Sequence, residues 1–294
     1  MGHANRKTLV RQVQETLESK LSIGHSRHEA KKAGTDQEQI FSWNSFQTYM
    51  KHACYFVKWC KENHGCKTLA ECRPHADEWL QSRFHLSPYT VTMERSSLAK
   101  LYGEPGENFV EVPKRHRSEI QRSRGEAMRD KHFSEIRNAD IVAFCRGTGL
   151  RRSELELVTG DRLYQENGKT FLRIDRGTKG GRPRSVPVIG DVGRIRELCR
   201  SAGSGRVFPR VPGGMDVHSY RAEYATALYL QHARPIDSIP FDRITKTGRR
   251  YRSQVYCCRG DKAGVKYDRE ALFIVSQALG HNRVEVVPQH YLRF

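Results

Sequence analysis

No stretch of the 294-residue sequence approaches the roughly 20 apolar residues that a membrane-spanning helix needs. The opening residues, "MGHANRKTLVRQVQETL", lack the apolar centre of a secretory signal, and a myristoylation motif's Ser or Thr is missing. These absences predict a cytoplasmic protein with no membrane partner and with reduced thiols. Eight cysteines are present, but not at chelating distances. Cys54, Cys60, Cys66 and Cys72 recur every six residues, a step that sends side chains to different faces of a helix, and Cys257 and Cys258 are adjacent. They are assigned to core packing, and no metal or cofactor is expected. Internal repeats and low-complexity tracts are absent too. Acidic residues are scarce: 33 stand against 51 Lys and Arg, a formal charge of +18. An excess of that size favours a polyanionic partner through counterion release, nucleic acid first. A merely basic or ribosome-associated protein would share it.

The length fits two domains, each able to bury a core. Leu9, Val13, Leu17 and Leu21 recur at helical spacing over residues 5–23. A stronger helix is predicted over 42–63, with Phe46, Tyr49, Met50, Ala53, Phe56, Val57 and Cys60 on its apolar face and His64-Gly65 ending it. Further helices are predicted near 68–84 and 88–102. Residues 1–34 read as an N-terminal extension and 35–104 as a helical domain. Residues 105–128, rich in Gly, Pro and charge, read as a basic linker, lying on phosphate or simply solvated. From 129 to 294 the chain is mixed. Helices are predicted near 134–148, from Arg151, and near 192–200, 218–232 and 269–279. "RLYQENGKTFLRID" gives two strands about an Asn-Gly turn, and "RSVPVIG" a third. The fold class is therefore mainly α, with a small antiparallel sheet in an α+β C-terminal domain.

Five features carry chemistry. In "GTGLRRSEL" two glycines break one helix, and Arg151 stands at the start of the next with Glu154 in its first turn. Exposed arginines at a plain helix-helix turn would look the same. In "DRGTKGGRPRSVPV" Lys179 sits at a strand-to-strand tip, where a lysine is ordinarily solvated; it matters if a proton donor is needed beside a phosphate. In "VHSYRAEYATALYL" His218 and Arg221 share a face near a helix start. In "ALGHNR" Gly280 ends an apolar helix and presents His281, and Tyr291 follows ten positions later. A tyrosine nucleophile attacking a phosphodiester needs its oxygens neutralised, a base at the phenol and an acid at the leaving alkoxide. Two arginines, two histidines and a lysine meet those needs.

In that order the blocks "TGLRRSEL", "TKGGRPRSVPV", "HSYRAEYATALY" and "LGHNRVEVVPQHY" resemble the tyrosine recombinases, or phage-type integrases, over residues 133–291. The helical first third is similar to that family's SAM-like core-binding domain. The resemblance implies a site-specific DNA recombinase that cuts and rejoins duplex DNA through a 3′-phosphotyrosyl intermediate, two domains gripping the duplex. It implies Arg151, Lys179, His218, Arg221, His281 and Tyr291 as catalytic, with Glu154 supporting Arg151 and Lys179 protonating the 5′-hydroxyl. It also implies double-stranded DNA sites and a homotetramer on two of them as partners, with room for a directionality or host architectural factor. The pattern favours a mobile-element integrase without an arm-site-binding domain, cleaving in cis. An inactive DNA-binding relative and a type IB topoisomerase remain the alternatives.

Three departures stand out. The spacing from His281 to Tyr291 is one longer than commonest, which predicts a bulge at Pro288. Residues 234–268 read as an insertion whose alternating pattern suits a hairpin. Three residues follow Tyr291 where the family continues into an exchange helix, so the insertion or the helix over 5–21 is expected to make protomer contacts.

Overall fold

The computed structural model describes residues 7–114, 116, 133–178 and 182–292. They fall into two units, divided after Ile120.

The first unit is helical: α1 (Leu9–Glu18), α2 (Arg27–Lys32), α3 (Trp43–His64), α4 (Leu69–Cys72), α5 (Ala76–Ser82) and α6 (Pro88–Tyr102). Helix α3 starts where Ser42 accepts from the Ser45 N–H and stops at Gly65, whose φ of 66° suits glycine. The expected single helix over 68–84 is instead broken into α4, one tight turn at Arg73–His75, and α5. Pro74 explains this, having no N–H to continue an α-helical ladder. Ala53, Phe56, Val57 and Cys60 of α3 are buried with Leu98 and Leu101 of α6. Leu9, Val13 and Leu17 of α1 belong to the same core. The stretch read as an extension therefore buries its apolar face inside the unit. So does the start of the stretch read as linker. Phe109 and Val112 are buried there, and Arg73 lies over the Phe109 ring at 4.3 Å. Residues 115 and 117–128 of that linker lie outside the described residues.

The second unit begins with α7 (Ala139–Thr148) and α8 (Arg152–Leu155), then a sheet of β1 (Leu163–Glu166), β2 (Lys169–Ile174) and β3 (Arg184–Pro187). Helix α7 starts later than the predicted 134. Ser134 Oγ accepts from the Arg137 N–H, a local turn that competes with helix, and Ile136 is left 90% exposed. The sheet is antiparallel in the order β1-β2-β3, with Asn167 and Gly168 both at positive φ in the hairpin turn, as Asn-Gly predicts.

Next come α9 (Val192–Ala202) and α10 (Val217–His232). Residues 234–268 form two short ribbons rather than one hairpin: β4 (Arg243–Ile244) with β5 (Arg250–Tyr251), and β6 (Val255–Cys257) with β7 (Lys266–Asp268). Helices α11 (Arg269–Ala278) and α12 (Val286–His290) follow. The core draws on every layer: Phe144 from α7, Leu172 from β2, Tyr224 from α10, and Leu272 and Val275 from α11. The architecture is thus the expected α+β fold. Among the described residues no helix is long and apolar enough to cross a membrane.

Candidate active site

Gly149 ends α7 at φ 58°, and a Cβ there would lie 2.3 Å from the Tyr224 ring. Only glycine turns the chain here against that ring, and the turn delivers Arg151 to the N-cap of α8. The Arg151 N–H donates to Glu154 Oε2 at 2.8 Å, and its Nη1 donates to Oε1 at 2.9 Å. Glu154 is buried and also receives both Nη groups of Arg184, at 2.7 and 2.8 Å. Burial opposes ionisation of Glu154, but the bonds and charge of Arg184, and then Arg151, outweigh it and hold the carboxyl below its usual range.

The end of α11 collects these arginines. The Leu279 carbonyl accepts from Arg151 Nη2 at 3.0 Å and from Arg221 Nη2, and the Ala278 carbonyl accepts from Arg184 Nε at 2.8 Å. A helix leaves its last carbonyls without intrahelical donors and with partial negative charge, so cations suit them. Arg221, on α10, also donates to the Gly149 carbonyl. It is 2% exposed, and its Nε is buried with no hydrogen-bond partner among the described residues. Burial pulls this guanidinium down to about 10, so it stays charged at neutral pH. Its guanidinium is held by the Gly149 and Leu279 carbonyls and lies against Tyr291, with no described carboxylate bonded to it, which leaves its charge to be met by an anion.

The same helix end places His281. Gly280, at φ 69°, donates to the Gln277 carbonyl, and the His281 N–H donates to that of Ser276. This is a Schellman turn, and it sets the direction of the next side chain. His281 Nε2 then lies 3.1 Å from the Tyr291 hydroxyl oxygen. The His218 ring stands 5.4 Å from the Tyr291 ring, and the Arg221 guanidinium carbon 5.4 Å from its centroid. Tyr291 is 6% exposed, not frayed. The expected bulge at Pro288 is not found: the proline is the third residue of α12, where its missing N–H breaks no helical bond. The Lys262 ammonium holds the Pro288 carbonyl at 2.8 Å.

Of the residues singled out from sequence, Arg151, Glu154, Arg221, His281, His218 and Tyr291 therefore converge. Lys179 lies outside the described residues. Arg152, the neighbour of Arg151, points elsewhere, donating to the Pro212 and Met215 carbonyls at 2.9 and 2.8 Å. Arg184 was missed. In β3 it stands two residues before buried Val186, on the inward face.

Among the described residues one group, His64, His75 and Glu78, brings possible metal-ligand atoms within 4.8 Å of one another. The two imidazoles are stacked, 3.6 Å apart and 16° from parallel, so their in-plane lone pairs do not meet at one ion. Both instead reach Glu78 Oε2, at 3.2 and 3.5 Å.

No protein-family model matches the chain, and no curated relative matches it by sequence. Among solved structures it is similar to the XerH site-specific recombinase bound to palindromic difH substrate in a post-cleavage complex. That likeness has 15% identity and a TM-score of 0.50, over 97% of this chain and 91% of the other. A pre-cleavage complex of XerH with difH substrate is 14% identical over 96% and 91% of the two chains, with a TM-score of 0.46. Across nearly its whole length the chain shares the fold of this site-specific recombinase.

Proposed function

We propose that this chain is a site-specific DNA recombinase whose nucleophile is Tyr291. The observation that carries the reading is the contact of His281 Nε2 with the Tyr291 hydroxyl, 3.1 Å long, beside the buried guanidinium of Arg221. A phenol alone is a poor nucleophile at neutral pH, and a phosphodiester repels it. Arg151 and Arg221 take the two non-bridging oxygens and neutralise the charge that grows on them in the transition state. Both are held by Leu279, and Arg151 also by Glu154, so they are ordered before substrate arrives.

Attack forms the bond from Tyr291 Oη to phosphorus and breaks the bond from phosphorus to the 5′ oxygen. The phenolic proton leaves to the histidines beside it. The 5′ alkoxide takes a proton from Lys179, the role its motif implies. The product is a 3′-phosphotyrosyl ester that conserves the phosphodiester's energy, so a 5′-hydroxyl from a second duplex reseals it by the reverse step without ATP. Cationic side chains carry the phosphate charge in this scheme. Double-stranded DNA is the partner, phosphate contacts supplying most of the affinity and base contacts the specificity. Four protomers on two sites, and integration or excision of a mobile element, complete the reading.

The test is exchange. Two duplexes of different length, carrying the sequence found at the DNA ends that the protein links to itself in a detergent-resistant bond, are incubated in EDTA without nucleotide. Products of recombinant length are expected, absent with Tyr291→Phe. Relaxation of a supercoiled circle without two-site products would make the protein a topoisomerase, and binding without cleavage a regulator.

A further inference from the structure

The ribbon β4–β5 takes no part in the site just described, yet it is built firmly. Its root is the pair of Arg234 and Asp268, the first and last residues of the 234–268 segment. The Arg234 backbone N–H, Nε and Nη2 all donate to the Asp268 carboxylate, at 3.0, 2.7 and 2.9 Å. Asp268 also accepts from the Glu270 N–H and so caps α11, the helix whose other end holds the arginines and His281. Above that root, Asp242 fastens Ser253 through its N–H at 2.7 Å and through its hydroxyl. Beyond Asp242 the strands pair Arg243 with Tyr251 and Ile244 with Arg250. The turn closes with the Gly248 N–H donating to the Thr245 carbonyl at 3.0 Å and the Thr245 N–H donating to the Arg249 carbonyl at 2.9 Å.

Everything from Phe241 to Tyr251 is exposed. Arg243, Lys246, Arg249 and Arg250 lie there, and Asp242, already committed to Ser253, is the one acid of that stretch. None of these four cations forms a salt bridge with a described carboxylate. Ile244 is 67% exposed, Phe241 49% and Tyr251 43%. Arg252 and Arg250 lie over the Phe241 ring, at 4.4 and 5.5 Å, which stiffens two guanidiniums without discharging them.

A dense cationic tip on a chain of formal charge +18 is poorly suited to a second copy of itself. That weighs against the protomer contact expected from sequence. Planar guanidiniums and threonine hydroxyls suit phosphate oxygens. We propose that β4–β5 is a second DNA contact, gripping the sugar-phosphate backbone of duplex outside the phosphate that Tyr291 attacks. The inference rests on the recombinase reading for the identity of the duplex, but its test does not depend on cleavage.

The full chain and the triple variant Lys246→Gln, Arg249→Gln, Arg250→Gln are titrated with an arbitrary duplex over a range of salt. The variant should melt like the parent, since the three side chains are exposed. Its plot of log affinity against log salt should be shallower by about 2 to 3, nearly one for each lost phosphate contact. On the captured site its hydroxyl-radical footprint should lose protection beside, not at, the cleaved phosphate. An unchanged slope and footprint would overturn the proposal, whether or not adduct forms. So would weaker self-association in sedimentation with DNA binding intact, which would return the ribbon to a protomer contact. Loss of adduct in the parent with the slope still reduced in the variant would sink the recombinase reading and leave the ribbon as a duplex contact.

Discussion

Arg151 and Arg221 donate to one acceptor, the carbonyl oxygen of Leu279. One guanidinium comes from the cap of α8 and the other from the second turn of α10. They are drawn together because α11 ends with carbonyls that its own turns cannot satisfy. One residue later, Gly280 turns the chain and sets His281 against Tyr291. A single helix terminus therefore spaces the cations and orients the histidine. Stability and chemistry are coupled there.

Glu154→Gln tests that coupling. The amide keeps the shape but leaves Arg151 and Arg184 sharing a neutral partner in a buried place. A loss of about 3 kcal/mol in urea unfolding is expected, the scale of a broken buried ion pair. Adduct formation should fall at least about 10-fold at temperatures where the variant is folded. Unchanged stability would mean that the two arginines balance each other through the carbonyls alone.

Gly149→Ala should be harmful although it adds one methyl group. The residue's φ is 58°, and the new Cβ would stand 2.3 Å from the Tyr224 ring. Overpacking together with a left-handed backbone predicts about 2–4 kcal/mol of destabilisation. Adding Tyr224→Ala should recover part of the backbone-independent share. A fully additive pair in thermal unfolding would refute the steric account.

The acid limb of stability should carry the signature of Asp268. Burial alone would raise its pKa, but Arg234 and the backbone donors prevail and bring it to about 2. The folded-state value is lower than the unfolded one, so folding favours the ionised form. Its contribution, on the order of 2 kcal/mol, is complete above about pH 4 and is lost as pH falls toward 2. Asp268→Asn should cost that amount at neutral pH and flatten the urea midpoint between pH 4 and 2. A variant whose midpoint falls as steeply as the parent's would contradict this.

His281→Ala removes the imidazole that stands 3.1 Å from the phenol oxygen. The rate of adduct formation should drop by about 10² or more, with DNA affinity nearly unchanged. A fall in affinity matching the fall in rate would make His281 a binding residue instead.

Much of this was legible in the residues. Ser42 and Gly65 bound α3, and Asn167-Gly168 gave the hairpin, because caps and turns are local chemistry. The three blocks that hold Arg151, His218 with Arg221, and His281 with Tyr291 come together in space because each sits at a helix end marked by glycine or a cap. Pro74 splits a helix that apolar spacing alone would carry through. Phe109 and Val112 read as linker because the Gly, Pro and charge around them hide two anchors. Arg184 was overlooked because an arginine on an inward strand face has no meaning until Glu154, thirty positions earlier, is known to face it. Arg234 and Asp268 show the same limit: no periodicity joins two residues across a 34-residue separation.

The most direct test of the account is to locate the covalent bond. The protein is mixed with sheared DNA from its source replicon and denatured in detergent; one half is digested with protease and nuclease for peptide analysis, and the protein-linked DNA ends of the other half are sequenced. The account predicts a nucleotide phosphate on the peptide that carries Tyr291, no such peptide from Tyr291→Phe, and one DNA sequence enriched at the linked ends. Phosphate on another residue, or adducts that persist in Tyr291→Phe, would contradict it.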